Sequence, residues 1–350
     1  MKEQSDGMIK QRDEMRKACK ELLASGKVDL VLGFTVSDSL MQNEDAHNRD
    51  VQNKDVQNED AHNEDVHNVT YIPCFARTQD EADSLEWNNH CRQNLARYLH
   101  GRTDRVAIVA KSCDVRAIVQ YIAEKQIIRD QVYIIGMDCD INRPGCEGCT
   151  VRTPPVYDIS ISAGGAVQSG ASNHNDTDVQ NDTGNDSDTN NQHTNTSSQH
   201  NNNQHTNTSS QHNQHNNDYN IDRFQQEIDK CILCFSCRQA CYGCYCQTCF
   251  IERGLPNWLP PEIDKGTKMT FHMGKAMHLA GRCVECGACE TACSSDVKLR
   301  YIIKELTSFV EENYDFRTGM SLDDVPAMVS YGPDDRDIGF LGVEHDDHKK

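Results

Sequence analysis

The chain has 350 residues with 54 acidic and 35 basic side chains, which gives a formal net charge of −19. Because no Lys- or Arg-rich stripe interrupts this acidic excess, the composition argues against broad electrostatic binding of nucleic acid or an anionic membrane. The sequence holds no apolar run long enough for a transmembrane segment, and its beginning lacks the apolar core of a signal peptide. We therefore expect a cytoplasmic protein.

Two low-complexity segments stand apart from the rest of the sequence. Residues 42–68 contain five copies of the pentapeptide Asn-x-Asp-Ala/Val-Gln/His, and residues 172–218 have Val179 as their only aliphatic residue. Segments with so few apolar side chains bury too little surface to offset the entropy lost on ordering. We expect 42–68 to be an insertion in the first domain, and 161–218 to form a disordered linker rich in Asn, Thr and His.

The first part of the chain alternates short apolar runs with helical patterns. Three runs have the length and composition of buried strands: Val28–Phe34, Val106–Ala110 and Val132–Gly136. Apolar residues recur at helical spacing in two other stretches, which contain Trp87, Cys91, Leu95 and Tyr98, and Val115, Ile118, Val119 and Ile122. Strand, helix and strand in this order predict an α/β domain with a parallel sheet over residues 1–160.

The crossover after Val106–Ala110 is the first candidate site. Residues Ser112, Cys113 and Asp114 lie where a strand ends and a helix begins, a position at which open sheets bind ligands. We expect the start of the helix to stabilise a Cys113 thiolate. The sequence has no G-x-G-x-x-G loop, so it does not indicate a conventional dinucleotide-binding domain.

Three more cysteines follow the next predicted strand. Parallel strands bring their carboxyl ends to one edge of the sheet, so these thiols can meet the thiol of the crossover there. Four converging thiolates would suit an iron–sulfur cluster or a zinc ion. The four residues are Cys113, Cys139, Cys146 and Cys149. If they hold no metal, the turn at Cys113 belongs to a flavin pocket or a docking surface.

Eleven of the eighteen cysteines lie between Cys231 and Cys293, and eight of the eleven repeat one spacing. The spacing C-x2-C-x2-C-x3-C occurs in CILCFSCRQAC and again in CVECGACETAC. This is the bacterial ferredoxin pattern, in which three thiolates hold one 4Fe-4S cluster and the fourth reaches the other cluster. The predicted ligands are Cys231, Cys234, Cys237 and Cys293 for the first cluster, and Cys283, Cys286, Cys289 and Cys241 for the second.

The alternative for these eight residues is a pair of structural zinc sites. Zinc ligands normally come as two C-x2-C pairs that are separated by a dozen or more residues, which the runs do not show. Three other cysteines follow the first run: Cys244, Cys246 and Cys249. They could be alternative cluster ligands, a small zinc site, reactive thiols or small buried residues beside a cluster.

Two helical patterns flank the second run. The first, KMTFHMGKAMHLAGRC, places Met269, Met273, Ala276, Met277 and Ala280 on one apolar face. The second repeats Leu299, Ile302, Ile303, Leu306, Phe309 and Val310 at intervals of three and four. We expect His272 and His278 to be packing or surface residues. These patterns predict an α-helical dicluster ferredoxin domain over 219–315, followed by an acidic tail over 316–350, in a chain that is α+β overall.

Several segments of the chain resemble the iron–sulfur β subunits of deazaflavin-linked hydrogenases and formate dehydrogenases, and their relatives beside heterodisulfide reductase-type complexes. The segments are VAIVAKSCDVRAIV, CEGCTVRTPPVYD, KCILCFSCRQACYGCYCQTC and HLAGRCVECGACETAC. The resemblance implies that the eight run cysteines are cluster ligands and that Cys113-Asp114 is the family's cysteine–aspartate turn. The family generally has proline where this chain has Tyr242 and Ser294, a difference that changes the local turn and removes no ligand.

The resemblance also implies a function. Such a subunit passes electrons between a catalytic partner of the hydrogenase, formate dehydrogenase or heterodisulfide reductase type and a flavin, a deazaflavin or another carrier. It works as an electron-transfer subunit together with the other subunits of an oxidoreductase complex. Such a subunit can also bind FAD as a further cofactor. Two alternatives are a zinc-binding interaction protein and a flavin-containing oxidoreductase that acts on a deazaflavin or a nicotinamide.

Overall fold

The protein is described from a computed structural model. The structure describes residues 2–37, 70–139, 145–146, 149–170, 222–252, 254 and 259–327. Both predicted low-complexity segments, 42–68 and 172–218, lie outside these residues, so the expectations for them stay predictions. Within the described ranges, no helix is long and apolar enough to cross a membrane.

Six strands form one mixed sheet, which confirms the predicted α/β architecture. Their bounds are Leu30–Val36 (β1), Tyr71–Ala76 (β2), Val106–Lys111 (β3), Val132–Met137 (β4), Ile159–Ile161 (β5) and Val167–Ser169 (β6). The strand order is β2-β1-β3-β4-β5-β6, and the four inner strands are parallel to one another. Each edge strand is antiparallel to its neighbour. The sheet therefore continues past residue 160, and the predicted start of the disordered linker at residue 161 is wrong, because residues 161 and 167–169 belong to strands β5 and β6.

Helices cover both faces of the sheet. They are Lys2–Ala24 (α1), Gln79–Asp83 (α2) and Ser112–Ala123 (α3), with short 3-10 helices at Leu95–Leu99 and Arg129–Gln131. Met15, Cys19 and Leu22 of α1 are buried with Trp87 against one face. The other face packs against α3 and against Leu95–Leu99. The sequence analysis missed α1 because this helix is mostly polar and buries only a narrow stripe.

The helix predicted from Trp87, Cys91, Leu95 and Tyr98 is wrong. Only Leu95–Leu99 is helical in this stretch, as a 3-10 helix. Trp87 packs in the cluster on the α1 side of the sheet, whereas Cys91 and Leu95 pack in the cluster on the α3 side. The apparent helical spacing therefore combines residues that are buried on opposite faces of the sheet.

The cysteine-rich half is built from short helices. They comprise residues 222–229 (α4), Ser236–Gln239 (α5), Lys265–Leu279 (α6), Ala288–Thr291 (α7) and Arg300–Tyr314 (α8), with a 3-10 helix at Phe250–Glu252. Helix α5 contacts α7, and α6 contacts α8. Both longer helices occur where the sequence predicts them.

The predicted apolar face of α6 is wrong, although the helix itself is confirmed. Met273 and Met277 are 43% and 57% exposed. The buried side carries Thr267, Phe271, His272, Lys275, Ala276 and Leu279 instead. Phe271 packs edge-to-face on Phe235 of the first cysteine run, with 5.0 Å between the ring centroids. The helix therefore turns its aromatic and basic side toward the cysteines. The predicted face fails at Met273 and Met277 and holds at Ala276, which is buried, and at Met269, which packs in the cluster that contains Cys231.

The two halves share a continuous core. Tyr242 and Val284, which adjoin the cysteine runs, belong to the same apolar cluster as the α3 side of the sheet. The hydroxyl of Tyr121 on α3 donates a hydrogen bond to the Tyr242 carbonyl. Arg116, also on α3, donates to the carbonyl of buried Thr318 at 2.9 Å. The chain therefore remains packed against the sheet beyond residue 315, where the sequence analysis placed the start of an acidic tail.

A buried ion pair holds the start of α3. Lys111 Nζ lies 2.7 Å from Asp114 Oδ2, and the two side chains are 3% and 0% exposed. The Asp114 carboxylate also accepts hydrogen bonds from the backbone N–H groups of Lys111 and Leu95. Asp114 therefore fixes the crossover between β3 and α3, where the first candidate site lies.

Asp114→Ala should lower the free energy of unfolding by roughly 3–5 kcal/mol, because it removes the carboxylate that balances the buried Lys111 ammonium and leaves only polar partners such as the Gln93 carbonyl. Asp104→Asn is the matched control, since Asp104 pairs with Arg102 at the surface, where loss of a charge typically costs less than about 1 kcal/mol. Chemical denaturation of both variants measures the difference. Equal stability of the two variants would contradict the structural role of Asp114.

Candidate cluster-binding site

The two cysteine runs have the same backbone conformation. In the first run Leu233 and Phe235 have φ angles of 53° and 60°, and at the equivalent positions of the second run Glu285 and Gly287 have 56° and 72°. Side chains other than glycine rarely adopt this left-handed region, because the Cβ atom crowds the backbone. Three non-glycine residues nonetheless adopt it at matching positions, so both loops are shaped by the same requirement.

The loops also direct the same backbone groups at sulfur. The Leu233 N–H donates to Cys231 Sγ at 3.3 Å, and the Glu285 N–H donates to Cys283 Sγ at the same distance. Each run then continues into a single helical turn, α5 or α7. N–H groups that point at sulfur are one of the means by which proteins stabilise a thiolate-bound cluster.

Thiols of the first run meet the last cysteine of the second. A cavity is lined by Cys231, Cys234, Cys237 and Cys293, together with Phe271, His272 and other residues. Burial, and then the charges of Cys293 and Cys234, raise the pKa of Cys231. These four residues are the set that the sequence analysis assigned to the first cluster.

The second run meets the last cysteine of the first in the same way. Although part of Cys283 is exposed, its sulfur is surrounded by protein, and burial raises its pKa well above the ordinary value. The charges of Cys286, Cys289 and Cys241 act on it as well and raise its pKa. Thiols in such surroundings stay protonated until a positive charge, such as a bound metal, stabilises the thiolate.

Helix α6 places two basic side chains beside these thiols. His272 and Lys275 are 3% and 4% exposed, and neither ring nitrogen of His272 nor Lys275 Nζ has a hydrogen-bond partner in the described part of the chain. Burial, followed by the charge of Lys275, lowers the pKa of His272 to about 4, so the ring is neutral near pH 7. Burial disfavours the Lys275 cation, but the neighbouring cysteine sulfurs outweigh it and raise the Lys275 pKa.

A second cavity, of about 450 Å³, lies where the two halves of the chain meet. Its lining includes the four amino-terminal cysteines of the candidate set: Cys113, Cys139, Cys146 and Cys149. Cys286 of the second run lines the same cavity. The structure therefore places four thiols that the sequence separates on the wall of one cavity, which Cys286 of the second run also lines.

Local hydrogen bonds position this cysteine set. Ser112, the first residue of α3, donates its hydroxyl to the Arg152 carbonyl at 2.6 Å, and the Cys139 sulfur lies 3.9 Å from that hydroxyl. The Cys149 N–H donates to the Cys146 carbonyl at 3.0 Å. The loops after β3 and β4 thus meet at the carboxyl edge of the sheet.

The expected stabilisation of a Cys113 thiolate is wrong for the unliganded protein. Burial, and then the adjacent Asp114 carboxylate, raise the pKa of Cys113 well above its ordinary value. These two effects outweigh Lys111, whose charge acts in the opposite direction. A Cys113 thiolate therefore needs a further positive charge in the cavity.

The cavity between the two halves, which we call the junction cavity, is strongly basic although the whole chain is acidic. Among the residues that the structure describes, two carboxylates line it, Glu285 and Glu290. Nine cationic residues line it: Arg92, Lys111, Arg116, Arg152, Arg223, Lys298, Arg300, Lys304 and Arg317. Such a surface attracts an anionic group. Sequence analysis missed this feature because the cations come from separate segments and form no stripe along the chain.

The three cysteines after the first run do not act as a unit. Cys244 contacts Cys241, and a hydrogen bond from the Cys244 thiol lowers the pKa of Cys241. Cys246 is exposed. Among the residues that the structure describes, no three or more His, Cys, Asp or Glu side chains are arranged to hold a single metal ion. The geometry therefore gives no support to a small zinc site in this segment, nor to a preformed site for a single metal ion at the amino-terminal cysteine set.

Lys275 is the other residue that sequence analysis missed. It is spaced by four residues from Phe271 and from Leu279, both of which are buried, so it lies on their side of α6. A lysine at that position could have been recognised as a buried cation once the correct face of the helix was known.

Comparison with known proteins finds a distant similarity to a characterised protein. No family model matches the chain. The sequence is similar to the F420-dependent formate dehydrogenase subunit beta of Methanocaldococcus jannaschii, with 20% identity over 323 residues. The similarity covers 71% of this chain and 83% of that protein.

Proposed function

We propose that the protein is an electron-transfer subunit of a larger oxidoreductase and that it carries two 4Fe-4S clusters. The first cluster is held by Cys231, Cys234, Cys237 and Cys293, and the second by Cys283, Cys286, Cys289 and Cys241. One observation carries the proposal: the two runs share left-handed loops and N–H···S hydrogen bonds, and each run lies beside the last cysteine of the other. A cluster of this type accepts and releases one electron.

The similarity to a formate dehydrogenase subunit supports this function. The name of that relative describes one subunit of an enzyme that depends on F420. By analogy, this chain receives electrons from a catalytic partner subunit, or delivers electrons to it, and exchanges them with a flavin or deazaflavin carrier. The partner would be of the formate dehydrogenase, hydrogenase or heterodisulfide reductase type.

The junction cavity is the proposed site of this exchange. Cys286, a ligand of the second cluster, and Arg300 both line it. Arg300 donates hydrogen bonds to Glu290 and to the Gly145 carbonyl, and so connects the second run to the loop after β4. A negatively charged carrier, including FAD or a deazaflavin, would be held there by the surrounding guanidinium and ammonium groups.

The amino-terminal thiols of this cavity form a proposed third site for an iron–sulfur cluster. The four ligands are Cys113, Cys139, Cys146 and Cys149, and the nearby cations would offset the negative charge of a thiolate-bound cluster. The sequence also allows a single zinc ion, although the described thiols are not arranged around one ion. Metal analysis distinguishes zinc from iron.

A flavin-containing oxidoreductase is the second candidate function, and the size and charge of the junction cavity favour it. In that case the chain would itself react with a deazaflavin or a nicotinamide. Flavin that is released by acid denaturation, together with reduction of a deazaflavin or a nicotinamide by this chain without other subunits, would support this candidate. Protein that reduces neither without its partner would support the relay. Colourless protein with stoichiometric zinc would support the remaining alternative, a zinc-binding interaction protein.

Anaerobically purified protein should contain about eight irons and eight sulfides in the two runs, because each 4Fe-4S cluster uses four thiolates. Cys234→Ser and Cys286→Ser should each lose or convert one cluster. Cys74→Ser is the control, since Cys74 lies on strand β2 outside both runs, and it should keep the full iron content. Iron analysis and electron paramagnetic resonance measure these outcomes. Full iron content in both run variants would contradict the ligand assignment.

The third site makes a separate prediction. If it holds a 4Fe-4S cluster, the wild-type protein should contain about twelve irons, and Cys113→Ser combined with Cys146→Ser should reduce this to about eight. Both counts come from the full-length protein. A wild-type content of about eight irons that the double variant leaves unchanged would show that these cysteines hold no iron–sulfur cluster.

A further inference from the structure

Lys275 is a buried lysine with no conventional partner. Its side chain lies on the inner side of α6, and only 4% of the residue is exposed. Its Nζ atom has no hydrogen-bond acceptor in the described part of the chain. Burying an ammonium without compensation is strongly unfavourable, so some other negative charge must stabilise it.

The groups that act on Lys275 are cysteine sulfurs from both runs. Cys241 and Cys289 belong to the ligand set of the second cluster, and Cys237 belongs to that of the first. The fourth sulfur is that of Cys244, which contacts Cys241. On the same face of α6 as Lys275, Phe271 packs with Cys237 and Cys289. Leu279 packs with Cys231, Cys241, Cys283 and Cys293. Lys275 is four positions from each of these two residues, so it lies on the side of the helix that faces both ligand sets. The neighbouring His272 ring is neutral near pH 7. Among the buried residues of α6, Lys275 is therefore the one that carries a positive charge.

A cation at this position has a definite effect on electron transfer. Reducing a cluster adds one electron, and therefore one negative charge, to a group that is already surrounded by thiolates. A nearby ammonium stabilises the reduced form more than the oxidised form, and N–H···S hydrogen bonds act in the same direction. Because the nearby sulfurs come from both ligand sets, both clusters should experience the effect.

We propose that Lys275 is a positioning residue that raises the reduction potentials of both clusters by placing a buried ammonium charge on the side of α6 that faces both ligand sets. The inference rests on the proposed function, because it requires the two clusters. It adds a role for a residue that is not a cluster ligand. It also explains why a cation is buried without a carboxylate or carbonyl acceptor.

The test is a potentiometric titration of the full-length protein with dithionite as the electron donor, followed by electron paramagnetic resonance. Lys275→Met should lower both midpoint potentials by about 59 mV or more, which is a tenfold change in each one-electron equilibrium. Lys275→Arg keeps the charge, so both midpoint potentials should stay close to those of the wild-type protein. Lys265→Met removes an exposed lysine from the same helix and should leave both potentials unchanged.

The outcomes separate this inference from the proposed function. Wild-type protein without iron–sulfur clusters would overturn the proposed function. Protein with both clusters, in which Lys275→Met has the same potentials as Lys265→Met, would overturn the role of Lys275 alone.

A second measurement covers the case in which Lys275→Met fails to hold iron. Wild-type protein grown with lysine that carries the heavy nitrogen isotope should show hyperfine coupling between a lysine nitrogen and a reduced cluster. The coupling should disappear in similarly labelled Lys275→Arg protein. Absence of the coupling in the wild type, or its persistence in Lys275→Arg, would overturn the inference.

Discussion

The structure depends on the charge state of the buried cysteine thiols and on the positive groups that stabilise their thiolate form. Several thiols of the two runs lie where burial raises their pKa, and in the unliganded chain they are protonated. Only positive charge can make them ligands, and the fold supplies part of it through backbone N–H groups and Lys275. The bound irons of the proposed clusters would supply the rest. The left-handed loops follow from the same requirement, because they direct N–H groups at sulfur at the cost of local backbone strain.

The sheet gives this arrangement a rigid support. Helix α3 begins at the buried pair of Lys111 and Asp114, and its Tyr121 holds the Tyr242 backbone just after the first run. Tyr242 stands where the family that this chain resembles generally has proline. Its ring is buried in the core that both halves share. The two halves are thereby fixed against each other, and the basic cavity forms at their junction. The second cluster site and the amino-terminal thiols then lie next to each other.

The sequence predicted the elements that a local pattern encodes. The three inner strands found as apolar runs, helix α3 and helices α6 and α8 occur as expected, because each has a continuous signal over its whole length. The helix around Trp87 failed because residues buried on opposite faces of the sheet imitate helical spacing. The inner face of α6 was misjudged because polarity alone does not show that Lys275 faces sulfur rather than solvent.

The candidate site was predictable to a similar extent. The spacing of the eight cysteines predicted two ligand sets with an exchanged fourth cysteine, an assignment that stays a prediction. Parallel-strand topology predicted that Cys113 and Cys139 would lie at one edge of the sheet, and both line the junction cavity. No sequence pattern could show the basic cavity, since its cations come from distant segments such as Arg92, Arg223 and Arg317. Their proximity depends on how the two halves pack, which is a property of the tertiary structure.

The exchange of the fourth cysteine between the two runs tests the account most directly. Electron paramagnetic resonance of reduced protein should show that Cys293→Ser perturbs the same cluster as Cys234→Ser. Cys241→Ser should perturb the same cluster as Cys286→Ser. If Cys293→Ser instead perturbs the cluster that Cys286→Ser affects, each run holds its own cluster with all four of its cysteines, and the account is wrong.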